Sequence, residues 1–167
     1  MCTRWSDSVH TLDASSIIHA WDNYPLDQFP GLWDWLAGEM KAKRLSIASV
    51  ALEEVGHKYP ECAAWLKSHN IRRLPMCNDV IQAAMHIKQQ MGIENDQYHT
   101  KGVDENDIFI IAAARCDGAA LITDEKRQFG KQVELTKLKI PAVCDLPSVA
   151  VAHKNFLDYI RQSSQVF

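Results

Sequence analysis

Four acidic positions carry the chemistry this sequence can do, because each stands at or near the edge of a short apolar run. Asp13 comes directly after Val9-His10-Thr11-Leu12. Glu53 and Glu54 lie within a turn or so of the helix that follows Arg44 to Ala48. Asp107, preceded by Asp104 and Glu105, opens a stretch dense in Ile and Ala. Asp124 and Glu125 follow Ala119 to Thr123. Any one of these acids is explained by capping the helix behind it, and Asp107 and Asp13 read most readily that way. Several carboxylates held together are a different matter, since they repel and raise one another's pKa unless a cation compensates. A hard divalent ion with oxygen ligands, Mg2+ or Mn2+, compensates most simply. A carboxylate cage for such an ion serves phosphoryl chemistry.

The surrounding elements must bring these acids together. Strands are predicted at 9–12, 44–48, 71–74, 119–123 and 140–143. Helices are predicted at 14–21, with Ile17 and Ile18 inward, and at 32–43, with Leu32, Trp35, Leu36 and Met40 at helical spacing. Further helices are predicted from an N-cap at Ser49, over 61–68, from Asn78 or Asp79 to Met91, over 107–116, and over 148–161. Gly92 and Gly118 are placed to end two of them. Residues 24–31 and 99–106 read as loops. Strands and helices alternate, and the strands are short, continuous and apolar. This predicts an α/β fold, a three-layer α/β/α sandwich around a central, mainly parallel sheet of about five strands. Ligands of such sheets bind outside the carboxyl ends of the strands, where all four acidic groups would meet.

The motifs resemble those of PIN domains. Thr11-Leu12-Asp13-Ala14-Ser15-Ser16-Ile17-Ile18-His19 is similar to their opening strand and first acid. Ser49-Val50-Ala51-Leu52-Glu53-Glu54-Val55 resembles the second motif, with Glu54 in the acidic position. Asp107-Ile108-Phe109-Ile110-Ile111-Ala112-Ala113-Ala114 resembles the helix of the third acid, and Leu121-Ile122-Thr123-Asp124-Glu125 the strand of the fourth. The stretch from Tyr24-Pro25 through Phe29-Pro30-Gly31-Leu32-Trp33-Asp34-Trp35-Leu36 is similar to a bacterial PIN-like branch. Three departures stand out: Ala14 replaces the usual Thr, Ser15 takes the position that orients the first Asp, and Glu125 stands where Asp is commonest.

The resemblance implies a single domain over 1–167 and a metal-dependent nuclease acting on RNA, of the kind that serves as toxin in VapC-like toxin–antitoxin pairs. Asp13, Glu54, Asp107 and Glu125 would be the catalytic acids. With Asp124 as competitor for the fourth place, the same acids would hold Mg2+ or Mn2+. Ser15, Thr123 and Asp104 would orient carboxylates or water, and Lys126 and Arg127 would contact substrate phosphates. An antitoxin chain and a second copy of the protein are the implied partners. Two other readings stay open: a catalytically inactive PIN-like binding module, and a nuclease or phosphatase acting on DNA or other phosphate esters.

The remaining features bound these readings. The chain has 18 Lys and Arg against 21 Asp and Glu, a net charge of −3, which excludes a histone-like polycation and an acidic disordered chain. The polar N-terminus is no signal peptide, and no apolar run approaches the ~20 residues a bilayer span needs, so a cytoplasmic protein without membrane contact is expected. The five cysteines, Cys2, Cys62, Cys77, Cys116 and Cys144, contain no C-x-x-C and read as buried free thiols. Spacing places Trp35 and Trp65 in the core and Trp33 on a partner surface. His19 reads as a packing or surface residue within reach of Asp13. The basic groups Lys41/Lys43/Arg44 and Arg72/Arg73 read as solvated surface, and Lys126/Arg127/Lys131 as a substrate contact. No phosphate-binding glycine loop is present.

Overall fold

The computed structural model describes residues 8–130 and 134–167. The N-terminal segment 1–7 with Cys2, and Lys131, lie outside the described residues. Five strands form one all-parallel sheet in the order β3-β2-β1-β4-β5. They are β1 (His10–Leu12), β2 (Leu45–Ala48), β3 (Arg72–Leu74), β4 (Ala120–Ile122) and β5 (His153–Lys154). The central strands β1 and β2 are buried throughout, as apolar strands covered on both faces must be. Helices flank the sheet: α1 (Ala14–Asn23), α2 (Pro30–Lys41), α3 (Ser49–Lys58), α4 (Pro60–Ser68), α5 (Asn78–Met91), α6 (Glu105–Asp117), α7 (Ile140–Cys144) and α8 (Phe156–Ser163). This is the α/β sandwich that the alternating pattern predicts. Because β1 has β2 on one side and β4 on the other, chain order reverses beside it. The carboxyl ends of β1 and β4 therefore flank a crevice.

Helix α6 shows why the site elements hold their places. Ile108, Ile110, Ile111, Ala112, Ala113 and Ala114 are all buried, so this helix is clasped by the sheet and its neighbours rather than lying on the surface. Gly118 ends it at φ +66°, a left-handed conformation that a side chain would strain. Arg72 at the start of β3 donates to both oxygens of Asp117 at 2.8 and 2.5 Å, tying the far end of α6 to the sheet edge.

Several elements depart from the sequence expectation. Residues 140–143 form part of helix α7, not the fifth strand, since Pro141 in its first turn is preset for a helix and cannot donate to a ladder. The fifth strand is the two-residue β5 at the sheet edge. The C-terminal helix starts at Phe156, capped by Asn155, rather than at Ser148. Ser49 is the first residue of α3, whose N-cap is Ala48, and α5 is preceded by Cys77 as N-cap instead of Asn78 or Asp79. Asp104 and Asn155 are the N-caps whose side chains accept from the backbone N–H three residues on. Cys62 and Cys144 are buried as expected, but Cys77 and Cys116 are exposed.

The tryptophans exchange roles. Trp33 is 2% exposed, its indole Nε1 donates to the Tyr24 carbonyl at 2.7 Å, and it meets Trp21 and Trp65 edge-on at 5.3 and 4.9 Å. Trp35 and Trp65 are only partly buried against the core. The partner-surface assignment of Trp33 is thus overturned: the wide apolar stripe of α2 takes it in, and the loop after α1 supplies the acceptor. Trp33→Ala is expected to cost about 3–5 kcal/mol, as large aromatic truncations do. A melting temperature within about 2 °C of wild type would show that Trp33 does not pack as described.

Candidate active site

Asp13 occupies the N-cap position of α1 yet makes no side-chain cap hydrogen bond. Its Oδ2 instead accepts from Ser15 Oγ at 2.5 Å and Thr123 Oγ1 at 2.9 Å. The two hydroxyls receive hydrogen bonds in turn, Ser15 Oγ from the Asp124 N–H and Thr123 Oγ1 from the Glu125 N–H, at 3.0 and 3.2 Å. The Asp13 N–H donates to the Ile122 carbonyl at 2.9 Å. The start of α1 and the end of β4 are thereby laced together around one carboxylate.

Asp107 is not the cap of its helix either. Asp104 caps α6, accepting from the Asp107 N–H at 2.9 Å, and Asp107 Oδ2 accepts from the Asp104 N–H at 3.0 Å. This reciprocal capping box fixes the Asp107 side chain at the third helical position.

A cleft of about 410 Å³ opens at the carboxyl edge, and Asp13, Glu54, Asp107, Asp124 and Glu125 all line it. Ser15 lines it too, and Thr123 is buried beneath it. Glu53, Asp104 and Glu105 are exposed outside it, as are Lys126 and Arg127. Other residues join the wall: Lys58, which donates to Glu54 at 3.1 Å, and His19, Asp22 and Asn23 from the end of α1. His19 is thus an exposed residue on the cleft wall and is not packed in the core. Lys58 was legible as the i+4 partner of Glu54. Lys139, which donates to Glu125 at 3.3 Å from fourteen residues away, carries no such local signal.

The electrostatics separate inner from outer acids. Asp13 is 3% exposed, and burial pushes its carboxyl up to about 6 against the two hydroxyl hydrogen bonds, with the charges of Glu54 and Glu125 adding to the rise. Burial pushes Asp107 up to about 8, opposed by the Asp104 N–H and reinforced by Asp104, Asp13 and Glu125. Among the described residues no Lys or Arg is ion-paired to either inner acid. The two acids after β4 face different ways. Glu125 acts on Asp13 and Asp107 and also accepts from the Ile140 N–H, at 2.8 Å, at the start of α7. Asp124 accepts from the Phe156 N–H at 3.2 Å at the start of α8, and His19 and Asp158 are the charges that act on it.

The donor set is all oxygen, and its two innermost carboxyls are held above their ordinary range by burial and by neighbouring negative charge. That is the chemistry a hard divalent cation relieves. Among the described residues no three acidic, His or Cys side chains are already gathered into a closed ligand set. A small hard cation does not require one, since it keeps several waters and takes only one or two carboxylates. The residues present fit a partly hydrated cation, which Asp13 and Asp107 would hold.

An all-parallel five-strand sheet between helical layers, with acids at its carboxyl edge, defines a PIN-like α/β sandwich. Solved structures share this fold at low identity. One is VapBC2 from Rickettsia felis bound to a DNA fragment from its promoter: TM-score 0.55, 16% identity, covering 88% of this chain and 98% of that one. DNA-bound VapBC from Salmonella typhimurium gives TM-score 0.57 and 14% identity, covering 89% and 98%. PAE2754 from Pyrobaculum aerophilum gives TM-score 0.55 and 12% identity, covering 95% and 98%. No curated protein matches the chain in sequence. Over residues 10–167 the chain matches, and belongs to, the family described as Domain of unknown function (DUF4411). Among the described residues no helix is long and apolar enough to cross a membrane.

Proposed function

We propose that the protein is a Mg2+- or Mn2+-dependent ribonuclease that hydrolyses RNA phosphodiester bonds. The observation that carries this reading is the convergence of Asp13, Glu54, Asp107 and Glu125, from four separate elements, on one cleft at the reversal point of the sheet. Asp13 and Asp107 would hold the cation, and Glu54 and Glu125 would support it directly or through water. Glu125 rather than Asp124 is the fourth acid because its charge acts on the inner pair. Asp124 instead ties the end of β4 to α8. When bound, the ion lowers the pKa of water and offsets the charge that develops on the phosphoryl oxygens. Ser15 and Thr123 lock one oxygen of Asp13, so the other is presented to the cleft in a fixed direction.

By its likeness to VapBC structures we extend the reading to the toxin of a bacterial toxin–antitoxin pair: one domain over 1–167, cytoplasmic, partnered by an antitoxin and by a second copy of itself. The test is cleavage of a mixed, structured RNA pool by the purified protein in Mn2+, Mg2+ or EDTA. Metal-dependent cleavage supports the nuclease. No cleavage together with no metal binding turns the assignment to a PIN-like binding module. Ser15→Ala is expected to lower Mn2+ affinity about 10–100-fold, the loss typical of residues that orient a metal ligand. Unchanged Mn2+ titration would remove Ser15 from the site.

A further inference from the structure

A nucleic acid is a polyanion, and the cleft that would receive it is lined by six carboxylates. Such a site needs a fixed cation on its wall if the backbone is to approach. Lys126 and Arg127, adjacent in sequence to the fourth acid, do not line the cleft. Neither does Lys139, although it pairs with Glu125. Lys58 is the single Lys or Arg among the described lining residues. It sits in the last turn of α3, one turn beyond Glu54, where the helix dipole favours a cation. Its side chain is 60% exposed, and that of Glu54 is 33% exposed. An ion pair so open to solvent is weakly held and exchanges its partner readily.

We propose that Lys58 is the phosphate-binding residue of the cleft. Its ammonium rests on Glu54 in the free protein and moves to a backbone phosphate oxygen of the bound nucleic acid. Side chains at i and i+4 start about 5–6 Å apart. Lys58 therefore holds a phosphate beside the one placed at the acids and sets the register of the strand. The inference rests on the nuclease reading for its substrate class, but its test does not require cleavage.

The experiment compares wild type, Lys58→Gln and Lys58→Arg in binding fluorescent single-stranded RNA and DNA oligonucleotides of one sequence. Binding is measured in EDTA across a salt series. Lys58→Gln is expected to weaken RNA binding about 10-fold at low salt. It is also expected to flatten the slope of log K against log salt by about 0.7, the loss of one single-strand phosphate contact. Lys58→Arg restores the slope. An equal effect on DNA marks a backbone contact, and an effect on RNA alone marks a contact that also reads the ribose. In Mn2+, KM for RNA rises about 10-fold while kcat falls less than about threefold. An unchanged salt slope, no binding by wild type, or lost kcat with KM kept overturns the proposal. A changed slope in a protein that neither binds Mn2+ nor cleaves RNA keeps Lys58 as the phosphate contact and overturns the nuclease reading.

Discussion

Asp107→Asn is expected to abolish metal-dependent RNA cleavage and to leave the protein at least as stable as wild type in EDTA. The substitution keeps the size of the side chain, and the amide oxygen still accepts from the Asp104 N–H, so the capping box at the start of α6 survives. What disappears is the capacity to carry a buried negative charge. In the metal-free protein that charge is a burden, because burial and the carboxylates around it push Asp107 up to about 8. With the cation bound it is an attraction. Losing residues that merely orient a metal ligand costs about 10–100-fold, so losing the ligand itself should exceed about 100-fold in both Mn2+ affinity and cleavage. Two measurements check this, a Mn2+ titration and a thermal melt in EDTA. Full cleavage by the variant would sink the site assignment. A large drop in melting temperature would mean that Asp107 is structural.

The second large effect is on stability against pH. Asp107 titrates near 3.8 in the unfolded chain and near 8 in the fold, so the folded state binds the extra proton between those values. Stability then falls as pH rises, and the loss is complete above about 8. Asp13 contributes in the same sense up to about 6. His10 opposes them: burial lowers it to about 4 from 6.5, so its stability is full above 6.5 and lost as pH falls. The clean window therefore runs from pH 6.5 to 8, where Asp107 alone of these three still changes charge. Across it the metal-free protein is expected to lose at most about 2 kcal/mol, or about 4–8 °C in melting temperature. Saturating Mn2+ at pH 8 should return about 5–10 °C, and much less at pH 5, where the ligands hold their protons. A flat metal-free profile over this window, or a Mn2+ effect independent of pH, would contradict the inner-acid assignment.

The parts of the molecule legible in the sequence were those whose signal is local. Strands β1 and β4 end within a residue or two of their acids, β2 runs straight into the helix that carries Glu54, and α6 is a dense apolar run closed by Gly118. The candidate acids followed from these strands together with the start of the Ile/Ala helix. The fifth strand was not legible, because β5 has two half-buried residues, His153 and Lys154, with no apolar signature. The Ile-Pro-Ala-Val run that imitates a strand is buried as one short helix. Trp33 was misplaced because helical spacing ranks faces but does not show which loop supplies an acceptor for the indole. The partners of Asp13 were half legible. Ser15 lies two residues away, but Thr123 lies 110 residues along and reaches Asp13 only because β4 pairs with β1.

The place of β1 in the middle of the sheet has a consequence for synthesis. Strand β1 leaves the ribosome well before the β4 that it pairs with, and Asp13 acquires Thr123 and Glu125 as neighbours only after more than a hundred further residues have been added. At translation rates of about 5–20 residues per second, that wait is on the order of 5–20 s. Throughout it the chain displays Asp13 and Glu54 without the later acids, and no cleft exists to admit a strand. On the proposed nuclease reading, a nascent chain would therefore be unable to cleave the RNA that encodes it. Cleavage would begin only after β4 has been made and paired with β1.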